Sequence, residues 1–114
     1  MECIFCKISE GKASADFVFQ DDDIFAIRDV HPMAPTHILI VPRKHVPSLM
    51  ELDGAEDSAL ISKIVSTAVE VAKKVSLSDR GFRLVWNVRS DGGQTVGHIH
   101  LHLLGGRQMK WPPG

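Results

Sequence analysis

The sequence has almost no cysteine, no apolar run long enough to cross a membrane, and no imbalance of charge. Each absence removes a class of protein. Cys3 and Cys6 are the only cysteines, too close for an ordinary structural disulfide and better spaced for a metal or redox pair. No apolar stretch approaches the ~20 residues of a membrane span. Met1-Glu2-Cys3 lacks the basic and apolar regions of a secretory leader, so a cytoplasmic location without a membrane partner is expected. A formal net charge of -1 argues against a nucleic-acid-binding surface or an acidic tail, so any bound phosphate must be held by local geometry. Internal repeats and low-complexity segments are also missing. The 114 residues suit one domain covering 1–114.

What is present is concentrated in Gly97-His98-Ile99-His100-Leu101-His102-Leu103-Leu104. On a β-strand successive side chains face opposite sides, so this alternation puts three imidazoles on one face and Ile99, Leu101 and Leu103 on the other. A helix would scatter the histidines, because each residue turns about 100°.

Around this stretch the chain reads as follows. Residues from Cys3 to Ile8 are apolar at helical spacing and form a short helix or turn stopped at Gly11. Phe17–Gln20 and Ile24–Arg28 read as hairpin strands around an Asp21-Asp22-Asp23 turn, which is a solvated turn rather than a cation site because no further spaced oxygen ligands follow. Asp29–Pro35 is a proline-broken loop, and His37–Val41 an interior strand ending at Pro42. Asp53 and Glu56 have capping-box spacing before one long amphipathic helix whose apolar face runs through Leu60, Ile61, Ile64, Val65, Ala68, Val69, Ala72 and Val75. It is expected to end near Ser76 to Asp79. Phe82–Asn87 alternates like a half-buried strand and should pair with the histidine strand across the Ser90–Gln94 loop. Strands interrupted by one long helix predict an α+β domain with a mainly antiparallel sheet.

Imidazoles two apart on a strand serve two chemistries. They can ligate a metal such as zinc, or they can attack phosphorus while neighbouring imidazoles set tautomers and stabilise charge. The surroundings favour phosphorus. Gly92-Gly93-Gln94-Thr95-Val96 has little bulk and offers backbone N–H groups and a hydroxyl to a phosphate, and no acidic residue lies between Gly92 and Gly114.

His98-Ile99-His100-Leu101-His102-Leu103-Leu104 resembles the signature of the histidine triad (HIT) family. The resemblance extends over Cys3 to Ile8, Asp29, Ala34 to His37, Pro42 to His45, Asp91 to Val96 and the tail ending Trp111-Pro112-Pro113-Gly114. With Gly105 to Met109, that tail is similar to the nucleotide-binding Hint branch. The resemblance implies a HIT fold of about five antiparallel strands with one long and one short helix, pairing as a homodimer through a continuous larger sheet. It also implies a hydrolase cleaving the P–N bond of purine nucleoside phosphoramidates through a nucleotidyl-histidine intermediate, with no cofactor required for catalysis. Non-catalytic nucleotide binding or scaffolding, hydrolysis of dinucleoside polyphosphates, and a zinc hydrolase using the histidines as ligands are the alternatives.

Carried over by residue, His100 is the nucleophile and His102 contacts the phosphate oxygens. His98 and His37 support the nucleophile as a relay, and Thr95, where the family commonly has Ser, protonates the departing nitrogen. Asp29 anchors the ribose. Asn87, Gly93, Gln94 and the Val96 backbone cradle the phosphate, and Ile4, Phe5, Ile8, Ile27, Val30 and Leu39 wall the base pocket. Trp111 reaches the partner's site. Bacterial-type members further imply a structural zinc on Cys3, Cys6, His45 and His98. That implication conflicts with a relay role for His98 through the same nitrogen. His31 matches neither pattern and reads as a loop residue.

Overall fold

A computed structural model describes residues 2–114. Its elements are α1 (Ile4–Ser9), β1 (Phe17–Gln20), β2 (Ile24–Arg28), β3 (Thr36–Pro42), a single 3-10 turn (Leu49–Glu51), α2 (Gly54–Lys74), β4 (Phe82–Val85) and β5 (Leu101–Gly105). The five strands form one antiparallel sheet in the order β1-β2-β3-β5-β4, with β1 and β4 at the edges.

The Asp21 turn closes the β1–β2 hairpin by side-chain chemistry. Its Oδ1 accepts from the N–H groups of Asp23 and Ile24, both at 2.8 Å. The Lys63 ammonium lies 2.7 Å from Asp23 and 3.1 Å from Asp21, so a protein cation already answers the acidic triplet.

Asp53 caps α2 by accepting from Ala55 and Glu56 N–H. The carboxylate that reaches back to the Asp53 N–H is Asp57, at 2.9 Å, rather than the Glu56 that the spacing suggested. Asp57 is also held by Lys44 at 2.9 Å, which ties the helix start to the chain leaving β3. The helix stops at Lys74, earlier than expected. Ser76 adopts φ 65 there, and two bonds, Leu77 N–H to Ala72 O at 2.9 Å and Ser76 N–H to Lys73 O at 3.2 Å, close a Schellman motif without glycine.

One sheet face packs on α2. Ile24, Ala26, Ile38, Ile40, Ile99, Leu101 and Leu103 meet Ile64, Ala68, Val71 and Ala72 in a single core. Fully burying an Ile or Leu contributes about 1.5–3 kcal/mol, so this face carries most of the stability. Val65 and Val69, read above as part of the apolar stripe, are exposed; Thr67 and Val71 take the inward positions instead. The opposite face holds a smaller cluster of Cys3, Phe5, Ile8, Phe25, Ile27, Leu39 and Val41, closed by α1.

The regular ladder of β5 begins only at Leu101, three residues later than the alternation suggested. β3 pairs with β5 as far as Ile40 opposite Leu101, and β4 ends with Val85 opposite His102, short of the expected Asn87. Before that point Ile99 N–H finds the Val46 carbonyl at 2.8 Å. The alternation of faces nevertheless persists, because Ile99 is buried in the α2 core together with Leu101 and Leu103.

Candidate active site and metal cluster

Topology brings His37 beside the histidine segment. His37 faces Leu104 and Leu39 faces His102 across the β3–β5 pair, so His37 and His102 share the sheet face away from α2. The Phe5 ring of α1 closes over that face, 5.1 Å from the His100 ring and 5.6 Å from the His98 ring.

Hydrogen bonding then settles each imidazole. His100 Nδ1 lies 2.8 Å from the His98 carbonyl oxygen, which can only accept, so Nδ1 carries the proton and Nε2 keeps a lone pair. Met33 N–H donates to His37 Nδ1 at 3.1 Å, which leaves the His37 proton on Nε2. That N–H points at His102 Nδ1, 2.9 Å away, with Asp29 Oδ2 at 3.4 Å as a second acceptor. His102 Nδ1 therefore accepts, and Nε2 holds its proton. The result is one unprotonated nitrogen on His100 beside an N–H on His102, with ring centroids 5.0 Å apart.

Burial disfavours the charged form of all three rings. Burial pushes His102 down to about 4, with charge on His100 and His37 adding and Asp29 opposing. Burial likewise lowers His100, against the raising effects of the His98 carbonyl and Asp29. His37 is lowered by burial, opposed by Asp29 and aided by His100. A histidine held near 4 when folded but near 6.5 when unfolded makes the unfolded chain bind more protons between those values. Its contribution to stability is therefore full above about pH 6.5 and is lost as pH falls toward about 4. Melting temperature should drop across that window, and less steeply in His102→Asn; equal slopes would contradict the assignment.

His98 belongs elsewhere. Its Nε2–H donates to Pro42 O at 2.7 Å, which leaves the Nδ1 lone pair free. Nδ1 sits 3.3 Å from Cys3 Sγ, 3.7 Å from Cys6 Sγ and 3.1 Å from His45 Nδ1. Cys6 Sγ to His45 Nδ1 is 3.3 Å. Four donors thus converge into a cluster that could hold a metal ion. The edges of a tetrahedron with the usual Zn–N and Zn–S bonds are roughly 3.3–3.8 Å, close to these separations, and Cys₂His₂ is a common structural donor set. Burial and the neighbouring Cys3 raise the Cys6 thiol, a cost that a divalent cation reverses by holding thiolates.

His98 can support His100 only through its backbone, not through its ring. Its ring makes its contacts with Cys3, Cys6, His45 and Pro42, and its link to His100 is its backbone carbonyl. Among the described residues the donor sets close enough to share a metal are Cys3, Cys6, His45 and His98, and Asp29, His37 and His102; neither unites His98, His100 and His102.

The remaining candidates separate. Phe5, Ile8, Ile27 and Leu39 are buried on the histidine face, whereas Ile4 is exposed and Val30 is 84% exposed. Gln94 was expected to reach phosphate, yet its amide is consumed by the loop: Oε1 accepts from Arg89 N–H at 2.8 Å, and Nε2 donates to Pro47 O at 2.6 Å and Val96 O at 3.0 Å. Asn87 Oδ1 is buried without a partner among the described residues, and a Cβ at Gly93 would lie 3.2 Å from Asn87 Nδ2. Gly93, at φ 78, is there because the turn and the Asn87 amide leave a side chain no comfortable place. Thr95 is exposed on a cavity of about 440 Å³ shared with Ile4, Lys7, His45 and Val96. Asp29 Oδ1 accepts from the N–H of the exposed His31 at 2.8 Å. Trp111 is 82% exposed. Sequence reading missed the groups that set the tautomers, namely the Met33 N–H and the Pro42 and His98 carbonyls; backbone atoms leave no residue-type signal.

Comparison with known proteins bears on the family. The HIT domain profile matches residues 10–109. The chain is 41% identical over 108 residues to the purine nucleoside phosphoramidase of Escherichia coli K12, covering 95% of this chain and 90% of that protein. It is 44% identical over 113 residues to an uncharacterized HIT-like protein of Synechococcus elongatus, covering 99% and 97%. The crystal structure of a HIT family hydrolase from Legionella pneumophila superposes with a TM-score of 0.96 at 52% identity, covering 99% of this chain and all of that one. With its sheet order, its histidine segment and a profile match across most of its length, the chain belongs to the HIT domain family.

Proposed function

We propose that the chain is a purine nucleoside phosphoramidase of the Hint branch. The observation that carries the proposal is the opposite polarity of two adjacent imidazoles: a bare Nε2 on His100 and a protonated Nε2 on His102. A phosphorus centre needs both, one to attack and one to hold the oxygens as charge builds. His100 Nε2 attacks phosphorus and the P–N bond breaks. The amine leaves with the Thr95 hydroxyl proton, since an amine departs poorly unprotonated. Water then attacks the nucleotidyl-histidine, returns a proton to Thr95 and frees the nucleoside monophosphate, with His100 restored.

Asp29, at the end of β2 and already turned toward His37, would take the ribose hydroxyls on its carboxylate. Phe5, Ile8, Ile27 and Leu39 give an apolar slot for the base, with Ile4 and Val30 at its mouth. Such a slot distinguishes purines weakly. Asn87, Gly93 and the Val96 backbone would line the phosphate side.

Cys3, Cys6, His45 and His98 would hold a structural zinc that cross-links α1, the exit of β3 and the histidine segment. Edge strand β4 and the exposed Val65 and Val69 would pair two copies through one continuous sheet, placing the exposed Trp111 at the partner's site.

The 41% identity to the Escherichia coli phosphoramidase supports the choice of substrate. The test is incubation with adenosine 5'-phosphoramidate, following ammonia and AMP, on a preparation whose mass is read by sedimentation. Stoichiometric release from a dimer is expected. Nucleotide binding without release would favour the non-catalytic reading.

A further inference from the structure

The loop from Asp29 to Pro35 has to deliver one backbone N–H to His37, yet the residue that delivers it is poorly anchored. The Met33 side chain is 70% exposed and adds little packing. The loop's ends are secure. Asp29 N–H bonds the His37 carbonyl at 2.9 Å, and Pro35 packs so closely on Gly106 that a Cβ there would lie 2.9 Å from it. At Met33 two backbone bonds do the holding: its N–H to His37 Nδ1 at 3.1 Å, and its carbonyl accepting from Arg107 Nη2 at 3.1 Å. The same guanidinium braces its own segment through Nη1 to Gln108 O at 3.3 Å. Arg107 lies two residues beyond the end of β5, the strand that carries His102.

We propose that Arg107 is a positioning residue for the His37–His102 pair, fixing the Met33 backbone so that its N–H keeps His37 Nδ1 unprotonated. The chain of cause is short. Without the Met33 donor only the Asp29 carboxylate, 3.4 Å from Nε2, still favours the proton there, so His37 Nδ1 can take it and His37 Nε2 can become an acceptor. His102 must then turn its own proton inward on Nδ1, and the N–H at its Nε2 is gone. Arg107 touches no imidazole; it acts through Met33. A lysine at this position could still reach one carbonyl, but it lacks the planar fork that spans Met33 and Gln108.

The kinetic consequence rests on the phosphoramidase reading, whereas the protonation pattern does not. The experiment therefore has two readouts on wild type, Arg107→Met and Arg107→Lys. Long-range ¹⁵N NMR of the ligand-free protein reports which ring nitrogens of His37 and His102 carry protons. Steady-state turnover of adenosine 5'-phosphoramidate gives kcat and KM. Because Arg107 is exposed, both variants should fold, which melting curves verify.

In wild type both rings should be protonated at Nε2. In Arg107→Met the single tautomer of His37 should be lost and kcat should fall about tenfold with KM unchanged, a fraction of the ~10²–10³ lost when a transition-state donor is removed outright. Arg107→Lys should recover part of both. An unaltered His37 tautomer in Arg107→Met overturns the proposal, even if kcat falls. If wild type shows no turnover, the phosphoramidase reading fails while the NMR comparison still decides the role of Arg107.

Discussion

His100→Ala is expected to lower phosphoramidate turnover by at least ~10⁴-fold, the scale seen when a covalent nucleophile is removed, while AMP still binds. The expectation follows from the hydrogen bonds of this ring. The His98 carbonyl holds the His100 proton on Nδ1, and burial disfavours a second, so the neutral ring keeps its lone pair on Nε2. The lone pairs of His37, His102 and His98 are directed elsewhere. His37 Nδ1 is capped by Met33, His102 Nδ1 accepts from His37, and His98 Nδ1 faces the cysteines. His102→Ala removes a donor rather than the nucleophile, and should cost only ~10²–10³. Calorimetric titration with AMP separates binding from chemistry. If His102→Ala proves the more damaging substitution, the two roles are reversed.

The second large effect concerns metal. Purified protein should carry one zinc per chain, and its removal, or Cys3→Ser, should lower Tm by about 10 °C or more. That figure takes a contribution of only ~3 kcal/mol, far below the 10–16 kcal/mol of zinc-finger peptides because this domain has a core of its own, at about 4 °C per kcal/mol for a chain of this size. Well below the melting temperature, turnover should survive with a moderate loss. His98 is the reason for both halves of the expectation. It is shared by the donor cluster and, through its carbonyl, by the nucleophile, yet no reacting atom would touch the metal. Elemental analysis and melts with and without chelator measure this. Metal-free protein whose Tm is unmoved by Cys3→Ser would remove the structural zinc, and instant loss of all turnover on chelation would restore a metal-dependent mechanism.

Much of the fold was legible in the residues because side-chain periodicity reports which face is buried. The alternation from His98 to Leu103 put histidines and aliphatics on opposite sides of the sheet, even though the ladder starts only at Leu101. The Asp21 turn and the Asp53 cap were visible because a short acidic side chain satisfies nearby N–H groups in only a few ways. What escaped was decided by partners distant in sequence or by backbone atoms. Spacing makes His98, His100 and His102 equivalent, and only the carbonyls of Pro42 and His98 divide them between the Cys3–Cys6–His45 cluster and a ring with a bare Nε2. Gln94 looked free to bind phosphate until the Pro47 carbonyl and the Arg89 N–H claimed its amide. Val65 and Val69 fit the helical stripe but face outward, since helix rotation is set by how Ile64, Ala68, Val71 and Ala72 seat on the sheet.

One measurement bears most directly on the assignment of the bare nitrogen to His100. Wild-type protein is mixed with adenosine 5'-phosphoramidate, quenched within a single turnover, digested and mapped by mass spectrometry. The expected result is an adenylyl group on His100 alone, absent from His100→Ala. An adduct on His102, His98 or His37, or turnover with no adduct at any quench time, would contradict it.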